Sequence, residues 1–507
     1  MGLFDFLKRG GKEQPQKLLR LPKRRINFSG AVNSVRSFLA GDNDDLFINF
    51  KGTNLTADGE IFTSLSRMRG RSRKLCNDSD YARKYLELCK SNIVGHAGVK
   101  LTPKARRTPN DTELDREDNR VIAEAWKRWG KKENCSASQT LSWLDIQNLF
   151  VETVARDGEC IVRLIKNYDN EFGFALQVYE GDILDVNLNQ ENLKNGNYIS
   201  LGIEKDSWGK PVAYYFKTKS RTGHSSYEFA TGLYERVPAE EIIHGFRAFR
   251  PNQTRGIPWL NTSIRSLKML DGWLEAELTG ARIAASKMGF YVEGEGADAY
   301  VGDDMDDDGT LVTEVTAGTF EKLPAGIDVK TFDAQYPKTD ATDFVKVVLR
   351  SAAAGLGVSY NSLANDLEST SYSSMRSGAL EERASWRLLQ SWFIDTLCER
   401  VYLTWLSEAL LRDAFVRPLP ASKYNKFAEV EWTPRGWSWV DPLKDQQAAK
   451  IGIEMGLTSR EEIASSQGKN YEDIFNQLAE ENLLASNLGV SVEDVEQSPD
   501  ENSGAEE

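Results

Sequence analysis

The sequence predicts an α+β fold that combines long helices with a block of short strands. Apolar residues recur at helical spacing from Asp343 to Ala354, and the chain from Ala379 to Arg417 contains neither Gly nor Pro. Between Gly158 and Phe249, short apolar stretches alternate with Gly and Asn, which is typical of strands joined by turns. A smaller strand-rich insert lies between two helical stretches, over residues 289–340. Because the strand blocks are separated from the helices in sequence, the α+β class is favoured.

Composition indicates a folded protein without a secretory or membrane-spanning segment. The 507 residues are 40% hydrophobic and 27% charged, as in ordinary folded domains. No apolar run approaches the roughly 18 residues of a membrane helix, and Met1–Arg9 lacks the apolar core of a signal peptide. The five cysteines are odd in number and form no C-x-x-C pair. They are expected to be free thiols in a reducing compartment such as a cytosol.

Net charge and tryptophan content bound the possible partners. A net charge of −13 argues against a chain that grips nucleic acid over its whole surface. A protein that surrounds DNA without gripping it tolerates an acidic lining. The 12 Trp residues suggest broad buried surfaces or interfaces, where Trp is enriched.

The first 65 residues are predicted to form a basic N-terminal arm. Lys and Arg are frequent up to Arg36, and Pro15 and Pro22 interrupt any regular element. Two interpretations remain open, a disordered solvated tail and a segment that docks on an acidic partner or on DNA phosphates. The next stretch, Ser66–Lys74, is also basic and is predicted to be rich in turns.

The block that follows is predicted to mix helices and strands. Periods of 3.6 and 2 residues separate the two kinds of element, and Asp157-Gly158 marks a tight turn between them. The predicted helices are Asp80–Val94, Asp118–Trp129 and Leu141–Asp157. The predicted strands are Val99–Pro103, Glu159–Lys166, Phe174–Tyr179, Ile199–Glu204, Val212–Lys217 and Tyr234–Pro238.

Two helices and a strand-rich insert come next. Pro258 suits a first helical turn, and the helix is predicted to continue to Lys287. Predicted strands in the insert are Thr310–Val315, Gly318–Leu323 and Asp328–Phe332. After the helix Asp343–Ala354, glycines open a polar loop, and the helical period resumes at Met375. The Gly- and Pro-free part would be a rod of roughly 55 Å, apolar on several faces and therefore buried on several sides.

The C-terminal region is predicted to be helical and then disordered. Asp441-Pro442 is a typical helix start, and Gly456 ends that helix. Thr458–Glu461 has the pattern of a capping box, and a last helix runs from Asn470 to Leu484. From Ser491 the chain is acidic without a single base, which predicts disorder.

Residues of the polar loop and its flanks resemble a known family signature. They are Gly357-Val358-Ser359-Tyr360, Asp366-Leu367, Tyr372-Ser373-Ser374, Arg376 and Glu381-Glu382. This pattern is similar to that of the lambda-like family of tailed-phage portal proteins. The residue before the Tyr, usually Asn in the family, is Ser371 here. Three further stretches carry the resemblance over most of the chain: Arg69–Gly98, His244–Ala285 and Trp432–Glu481.

The resemblance implies a portal fold with a wing, a two-helix stem, a strand-rich clip, a tunnel loop, a long spine helix and a helical crown. Its segments would be the arm 1–65, the wing 66–256, the first stem helix 257–288, the clip 289–340, the second stem helix 341–356, the tunnel loop 357–374, the spine helix and wing return 375–440, the crown 441–490 and a disordered acidic tail 491–507.

The resemblance also implies a function. Portal proteins of this family form a ring, dodecameric in the family, at one capsid vertex. The ring is the channel for DNA packaging and ejection. It docks the large subunit of terminase and later the head-completion and tail proteins, and it contacts the major capsid and scaffold proteins. The expectation is therefore a virion protein assembled in the host cytoplasm, with no enzymatic activity, no cofactor and no membrane.

The polar loop is the candidate DNA-facing site. A ring through which DNA slides should present small polar groups and few cations, because each Lys or Arg adds a salt-dependent phosphate contact. The stretch Ser359–Ser374 contains no Lys or Arg. The candidate residues are Ser359, Tyr360, Asn361, Asn365, Ser369, Thr370, Ser371, Tyr372, Ser373 and Ser374. The alternative is an ordinary polar connector between two helices.

The sequence gives little support for an enzymatic function. It has no G-x-S-x-G, and Pro211 follows Gly209-Lys210 where a P-loop needs Ser or Thr, so the chain does not carry the packaging ATPase. His96, His224 and His244 are separate from one another and are expected to be turn or core histidines.

An acidic cluster provides the rival interpretation. Asp304-x-Asp306-x-Asp308-Gly309 matches the first half of a calcium loop, but the twelfth position falls on Val315. No specific metal site is therefore expected. A metal-dependent nuclease or phosphodiesterase using Asp303–Asp308 is the alternative, although no His or Lys motif accompanies these carboxylates.

Overall fold

A computed structural model gives the structure of residues 54–108, 113–219, 229–285, 289–293, 304–305, 311–312, 327–331, 341–368, 371–437 and 441–488. Nearly all of the basic arm and the whole acidic tail lie outside the described residues. The predicted strand Gly318–Leu323 also lies outside them.

The described chain mixes helices and strands, as predicted. The α-helices are α1 Ala57–Asp78, α2 Asp80–Cys89, α3 Arg116–Trp129, α4 Lys132–Cys135, α5 Trp143–Asp157, α6 Ile264–Ala285, α7 Ala341–Leu356, α8 Tyr360–Ala364, α9 Tyr372–Phe393, α10 Glu399–Leu411, α11 Tyr424–Phe427, α12 Pro442–Glu454, α13 Arg460–Ser466 and α14 Tyr471–Leu488. The strands are β1 Lys100–Pro103, β2 Glu159–Lys166, β3 Phe174–Glu180, β4 Tyr198–Ser200, β5 Ile203–Lys205, β6 Pro211–Lys219, β7 Phe229–Pro238, β8 Ile242–Phe246, β9 Gly289–Glu293, β10 Asp304–Met305, β11 Leu311–Val312, β12 Ile327–Thr331 and β13 Val430–Thr433.

Two antiparallel sheets build the predicted wing region. Strand β2 lies between β3 and β8, with Val162 opposite Val178 on one side and Ile243 on the other. The second sheet has the order β4-β5-β6-β7. The predicted single strand Ile199–Glu204 is wrong: Leu201 and Gly202 have positive φ and turn the chain between β4 and β5. Ile199, Leu201 and Ile203 are all buried.

Helix α1 contradicts the prediction for the first part of the chain. The N-terminal arm does not extend to residue 65, because Ala57–Asp78 is one helix whose Ile61 and Leu65 are buried. The basic stretch Ser66–Lys74 is helical and not rich in turns. The apolar residues of α1 lie one helical turn apart. Many charged residues separate them in the sequence, so this helical period was not recognised.

An aromatic cluster joins the wing region to the C-terminal half of the long helix. The ring of Trp126 in α3 lies 5.0 Å from that of Trp405 in α10 and 4.7 Å from that of Trp129. Tyr402 and Trp143 pack on the same ring, edge to face. Because aromatic side chains bury large apolar areas, this cluster fixes α10 inside the wing core.

The long helix is interrupted and shorter than predicted. Helices α9 and α10 are joined by a π-helical segment, Ile394–Cys398, and α10 ends at Leu411 and not at Arg417. Asp413 adopts a positive φ of 51°, which reverses the chain. The reversal places Ala414 and Phe415 back in the core, with the Phe415 ring 6.0 Å from that of Trp405.

The predicted stem helices pack against each other at one end. A short 3₁₀ turn, Trp259–Thr262, precedes α6. The Ser263 hydroxyl donates to the carbonyl of Ala352 in α7 (3.1 Å), and that of Thr262 donates to Gly355 (3.0 Å). In the chain between α6 and α7, β9 pairs with β12 and β10 pairs with β11, and both pairs are antiparallel.

Three helices form the C-terminal region. Asp441 caps α12, and Pro442 occupies its first turn, as predicted. The predicted capping box is shifted by one residue, because Ser459, and not Thr458, accepts from the backbone of Glu462. Strand β13, which sequence reasoning did not identify, pairs with β1 and brings this region back to the wing.

Candidate nucleic-acid interface

The predicted loop Ser359–Ser374 is not one continuous loop. The Ser359 hydroxyl caps helix α8 by accepting from the backbone of Ser362 (3.1 Å). Leu363 in α8 is 2% exposed and joins the main core. Because a buried leucine anchors this helix, the first half of the candidate segment is fixed against the stem and α2 and is not a free connector.

The end of the segment is also helical. Ser371 is the N-cap of α9 and accepts from the backbone of Ser374 (3.3 Å), so Tyr372, Ser373 and Ser374 belong to the first helical turn. Ser369, Thr370 and the side chain of Tyr372 lie outside the described residues. Serines therefore mark two helix starts, because their hydroxyls satisfy otherwise unpaired N–H groups.

The projecting part lies between these two caps. Asn365 ends α8 in the left-handed conformation, with a φ of 53°, and is exposed. Leu367 is 62% exposed, and Glu368 is exposed as well. Asn361, by contrast, lies within α8 and is half-buried. Among the described residues from Ser359 to Ser374, the exposed ones therefore begin at Asn365, and Ser359 to Ala364 are at least half-buried.

Two carboxylates of the segment, Asp366 and Glu368, lie close to a lysine of α7. The Tyr360 hydroxyl donates to Asp366 (2.7 Å), and Lys346 lies 3.8 Å from both Asp366 and Glu368. Burial and the hydrogen bond to Asp366 raise the pKa of Tyr360 to about 12. The same hydrogen bond lowers the pKa of Asp366 from its ordinary value. Both groups therefore keep one charge state at neutral pH.

Sequence reasoning missed these stem cations. Lys346 and Arg350 lie four residues apart on α7, and the Arg350 guanidinium is 5.4 Å from the centre of the Tyr360 ring. Residues at this spacing share one helix face. That spacing was the available signal, but it did not say that the face turns towards the segment.

Two polar contacts connect the segment to the long helix and to the C-terminal region. The Ser362 hydroxyl donates to Glu382 in α9 (2.9 Å), which also accepts from the Trp386 indole (3.2 Å). Arg376 in the first part of α9 pairs with Asp445 in α12 at 2.8 Å. Movement of the exposed stretch is therefore limited at both of its ends.

A buried ionic cluster lies where the wing region meets the stem. Glu159 at the start of β2 is fully buried and accepts from Arg69 in α1 (2.8 Å), from His244 in β8 (3.0 Å) and from Arg255 before the stem. It also accepts from the backbone of Gly256 (3.0 Å). Burial alone would raise the pKa of Glu159, but Arg255, the His244 hydrogen bond and Arg69 hold it well below its ordinary range.

This cluster corrects the interpretation of the arginine-rich stretch. This stretch was predicted to be a turn-rich basic segment, but Arg69 is buried within its own chain, and Arg73 pairs with Asp157 (2.8 Å). His244 is a core histidine, as expected, and its ring is hydrogen-bonded within this buried polar network. His96 is exposed, and His224 lies outside the described residues.

The rival acidic cluster falls mostly outside the described residues. Asp304 and Met305 form β10, whereas Asp303 and Asp306–Asp308 are not described. Within the described residues, no group of His, Cys, Asp and Glu is arranged to hold a metal ion. All five cysteines are free and buried, which confirms the predicted thiols. No helix of the described part of the chain is long and apolar enough to cross a membrane.

Comparison with known proteins identifies the family. The model of the lambda family of phage portal proteins matches residues 45–390. A probable portal protein of Halomonas phage phiHAP-1 is 36% identical over 437 residues, which cover 86% of this chain and 83% of that protein. Portal protein B of Escherichia phage lambda is 22% identical over 459 residues, or 84% of this chain and 85% of that protein.

Solved structures give a weaker likeness. The neck of an empty gene transfer agent particle, computed with C6 symmetry, is 15% identical and has a TM-score of 0.43. The match covers 81% of this chain and 94% of that one. The family match extends over more than half of the sequence, and a relative above 30% identity covers most of it. The chain therefore belongs to the lambda family of phage portal proteins.

Proposed function

We propose that this portal protein forms a ring at one capsid vertex and that double-stranded DNA passes through the ring during packaging and ejection. Its partners would be the terminase large subunit, the major capsid and scaffold proteins, and the head-completion and tail proteins. Assembly takes place in the host cytoplasm, and the protein remains in the virion. Its role is mechanical, without covalent chemistry. Family membership is the observation that carries this proposal.

The tunnel-loop proposal is narrower than the sequence suggested. DNA contacts the stretch from Asn365 to Ser371 weakly as it slides. Support comes from the exposure of Leu367 and Glu368 and from the two serine caps that hold the ends of this stretch. Lys346 lies within ion-pair distance of Asp366 and Glu368, so its charge is compensated inside the subunit. A stretch without free cations resists sliding little, because phosphate grip grows with each added cation.

A substitution at Leu367 tests this proposal. Leu367→Arg adds one cation per subunit without removing a helix cap, and the ring multiplies each new phosphate contact. We expect normal rings and normal motor ATPase activity but slowed or stalled packaging. Raising the salt concentration should partly restore the rate, because screening weakens the added contacts. The measurement is packaged DNA length against time at two salt concentrations.

Leu367→Gln is the matched control, since it is polar and of similar length but neutral. It should package at the wild-type rate. If Leu367→Arg also packages normally at both salt concentrations, the stretch does not face DNA. Substituting Ser371 would be less informative, because removing its cap costs about 0.5–2 kcal/mol of helix stability.

Native mass separates the portal function from the nuclease alternative. Negative-stain images and mass measurement of purified protein should show a large closed ring. A small species that cuts DNA only with Mg²⁺ would instead support a nuclease that uses Asp303–Asp308.

A further inference from the structure

Within the part of the chain that the structure describes, two C-terminal helices bury none of their residues. Helix α12 has 13 residues and α14 has 18, and no side chain of either is buried. Both nevertheless carry large apolar side chains. The exposed ones are Leu443 and Ile451 in α12, Met455 directly after it, and Phe475, Leu478, Leu483, Leu484 and Leu488 in α14.

This exposure is physically unfavourable for α14. Most helical stability in proteins comes from the packing of an apolar face and not from the intrinsic propensity of the residues. Only the start of α14 is held by the described part of the chain. The Asn470 side chain donates to the Thr102 hydroxyl (2.6 Å), and the Lys104 ammonium lies 3.5 Å from the Glu472 carboxylate. The rest of the helix needs another surface to cover its apolar side.

The charge of α14 indicates which sign of charge the covering surface should carry. The helix carries four carboxylates, Glu472, Asp473, Glu480 and Glu481, and no Lys or Arg. A complementary surface would therefore combine apolar contacts with positive charge.

A groove between α9 and α12 has this character. It is lined by Leu380, Arg383, Arg387, Trp437, Asp445 and Ala448, and by no residue of α14. The guanidinium groups of Arg383 and Arg387 lie 5.9 and 6.0 Å from the centre of the Trp437 ring. Leu380 is 52% exposed, and Leu388, one turn beyond Ala384 on the same helix, is 73% exposed.

The electrostatics of the groove favour an acidic occupant. Burial and the neighbouring Arg387 lower the pKa of Arg383, which shows that positive charge accumulates here. Among the residues that the structure describes, no carboxylate lies within ion-pair distance of Arg387. An incoming carboxylate would relieve the repulsion between the two guanidinium groups.

We propose that α14 of one subunit lies in the α9–α12 groove of the next subunit in the ring. This inference rests on the proposed ring. The contact is heterologous, since two different surfaces of the same chain meet, and such a contact generates a ring when its rotation closes. It is a helix-in-groove contact in which Phe475 and Leu478 supply apolar anchors and Glu480 and Glu481 face the arginines.

Charge reversal tests the pairing. Arg387→Glu, and separately Glu480→Lys with Glu481→Lys, should lower the fraction of protein in rings roughly tenfold at low salt, because like charges then meet. Combining the three changes should restore most of the ring fraction. Arg120→Glu is the matched control, since Arg120 is an exposed helical arginine on α3 whose side chain is 73% exposed. The readouts are ring fraction by size-exclusion chromatography with light scattering, and subunit helicity by circular dichroism.

A cross-linking arm identifies the occupant. Leu388→Cys with Leu478→Cys should give an interchain ladder on oxidation, with little background because the five native cysteines are buried. An intrachain product, or no product in intact rings, would overturn the proposal, as would unchanged ring formation by Arg387→Glu. In those cases the portal ring itself would stand. If wild-type protein forms no rings, both the proposed function and this contact are wrong.

Discussion

At the scale of single residues, Glu159 joins the predicted wing to the predicted stem. Its carboxylate is fully buried and receives two arginines, a histidine and a backbone N–H. Breaking a buried ion pair by removing one partner typically costs about 3–5 kcal/mol, because the other charge is left uncompensated.

The close approach of Gly158 to Gly256 explains why both are glycine. A Cβ atom on Gly256 would lie 2.0 Å from the Gly158 carbonyl oxygen. These residues join α1, β2, β8 and the start of the stem.

His244 makes this junction sensitive to pH. Burial lowers its pKa below the ordinary value of 6.5, and this outweighs the hydrogen bond to Glu159. The unfolded chain therefore binds more protons than the folded chain below about pH 6.5, so stability rises with pH in that window. We expect the urea midpoint to fall as pH is lowered from 7.5 to 5.5, which corresponds to a free energy of unfolding lower by up to about 1.4 kcal/mol per pH unit.

His244→Gln is the control for this prediction, because Gln can still donate to Glu159 but does not titrate. Its urea midpoint should depend less on pH over the same range. An equally steep dependence in this variant would assign the effect to another group.

At the scale of elements, the long helix has two different halves. Helix α10 and the π-helical segment are packed in the core, with Leu397, Val401, Tyr402 and Trp405 buried. Helix α9 is packed on one side only. This division was not predicted, because the apolar residues of both halves recur at the same period, and only the wing decides which of them it covers.

A substitution of Trp392, at the end of α9, tests how this helix packs on α5 and on the turn before α6. Its ring lies 6.1 Å from that of Phe150 and 5.8 Å from that of Trp259. Trp392→Asp should destabilise the subunit by about 3–5 kcal/mol or more, since it removes an aromatic contact and places a charge in an apolar site. Thermal unfolding and soluble yield are the measurements.

Ser391→Ala serves as the control, because Ser391 is the preceding residue and is exposed. It should change stability by no more than about 0.5 kcal/mol. Normal stability and normal rings from Trp392→Asp would show that this contact does not hold the helix in place.

At the scale of the whole molecule, residues distant in sequence connect the C-terminal helices to the wing. Strands β1 and β13 pair from Lys100–Thr433 to Pro103–Val430. Just beyond β13, Gly436 approaches Gly468 so closely that a Cβ atom on Gly436 would lie 2.0 Å from the carbonyl carbon of Gln467. This backbone contact holds α13 and α14 against the body of the subunit.

Gly436→Ala should therefore loosen the C-terminal helices without unfolding the rest. We expect faster cleavage between β13 and α14 in limited proteolysis, while the main thermal transition changes little. Gly378→Ala is the matched control: Gly378 lies in α9 with open space around it, and Ala should stabilise that helix by roughly 0.5–1 kcal/mol. If Gly436→Ala is cleaved no faster than wild type, the glycine contact does not anchor these helices.

The sequence by itself determined the α+β class, most helix positions and the family. Local signals carried these results. Asp441 and Pro442 define a helix start by capping chemistry, and Ile161 and Val162 follow strand propensity, so neither depends on distant residues. The DNA-facing role of the loop remains a prediction.

The tertiary structure decided what local signals do not contain. Ser359 and Ser371 read as loop residues in the sequence, but both cap helices, because Leu363 is buried against the core and α9 begins one turn earlier than its apolar period. The basic stretch Ser66–Lys74 reads as turn-rich in the sequence, yet it is helical and its Arg69 is buried, because Glu159, 90 residues further along the chain, pairs with it. Charge and helical spacing describe one element at a time, whereas a buried ion pair depends on which elements the fold brings together.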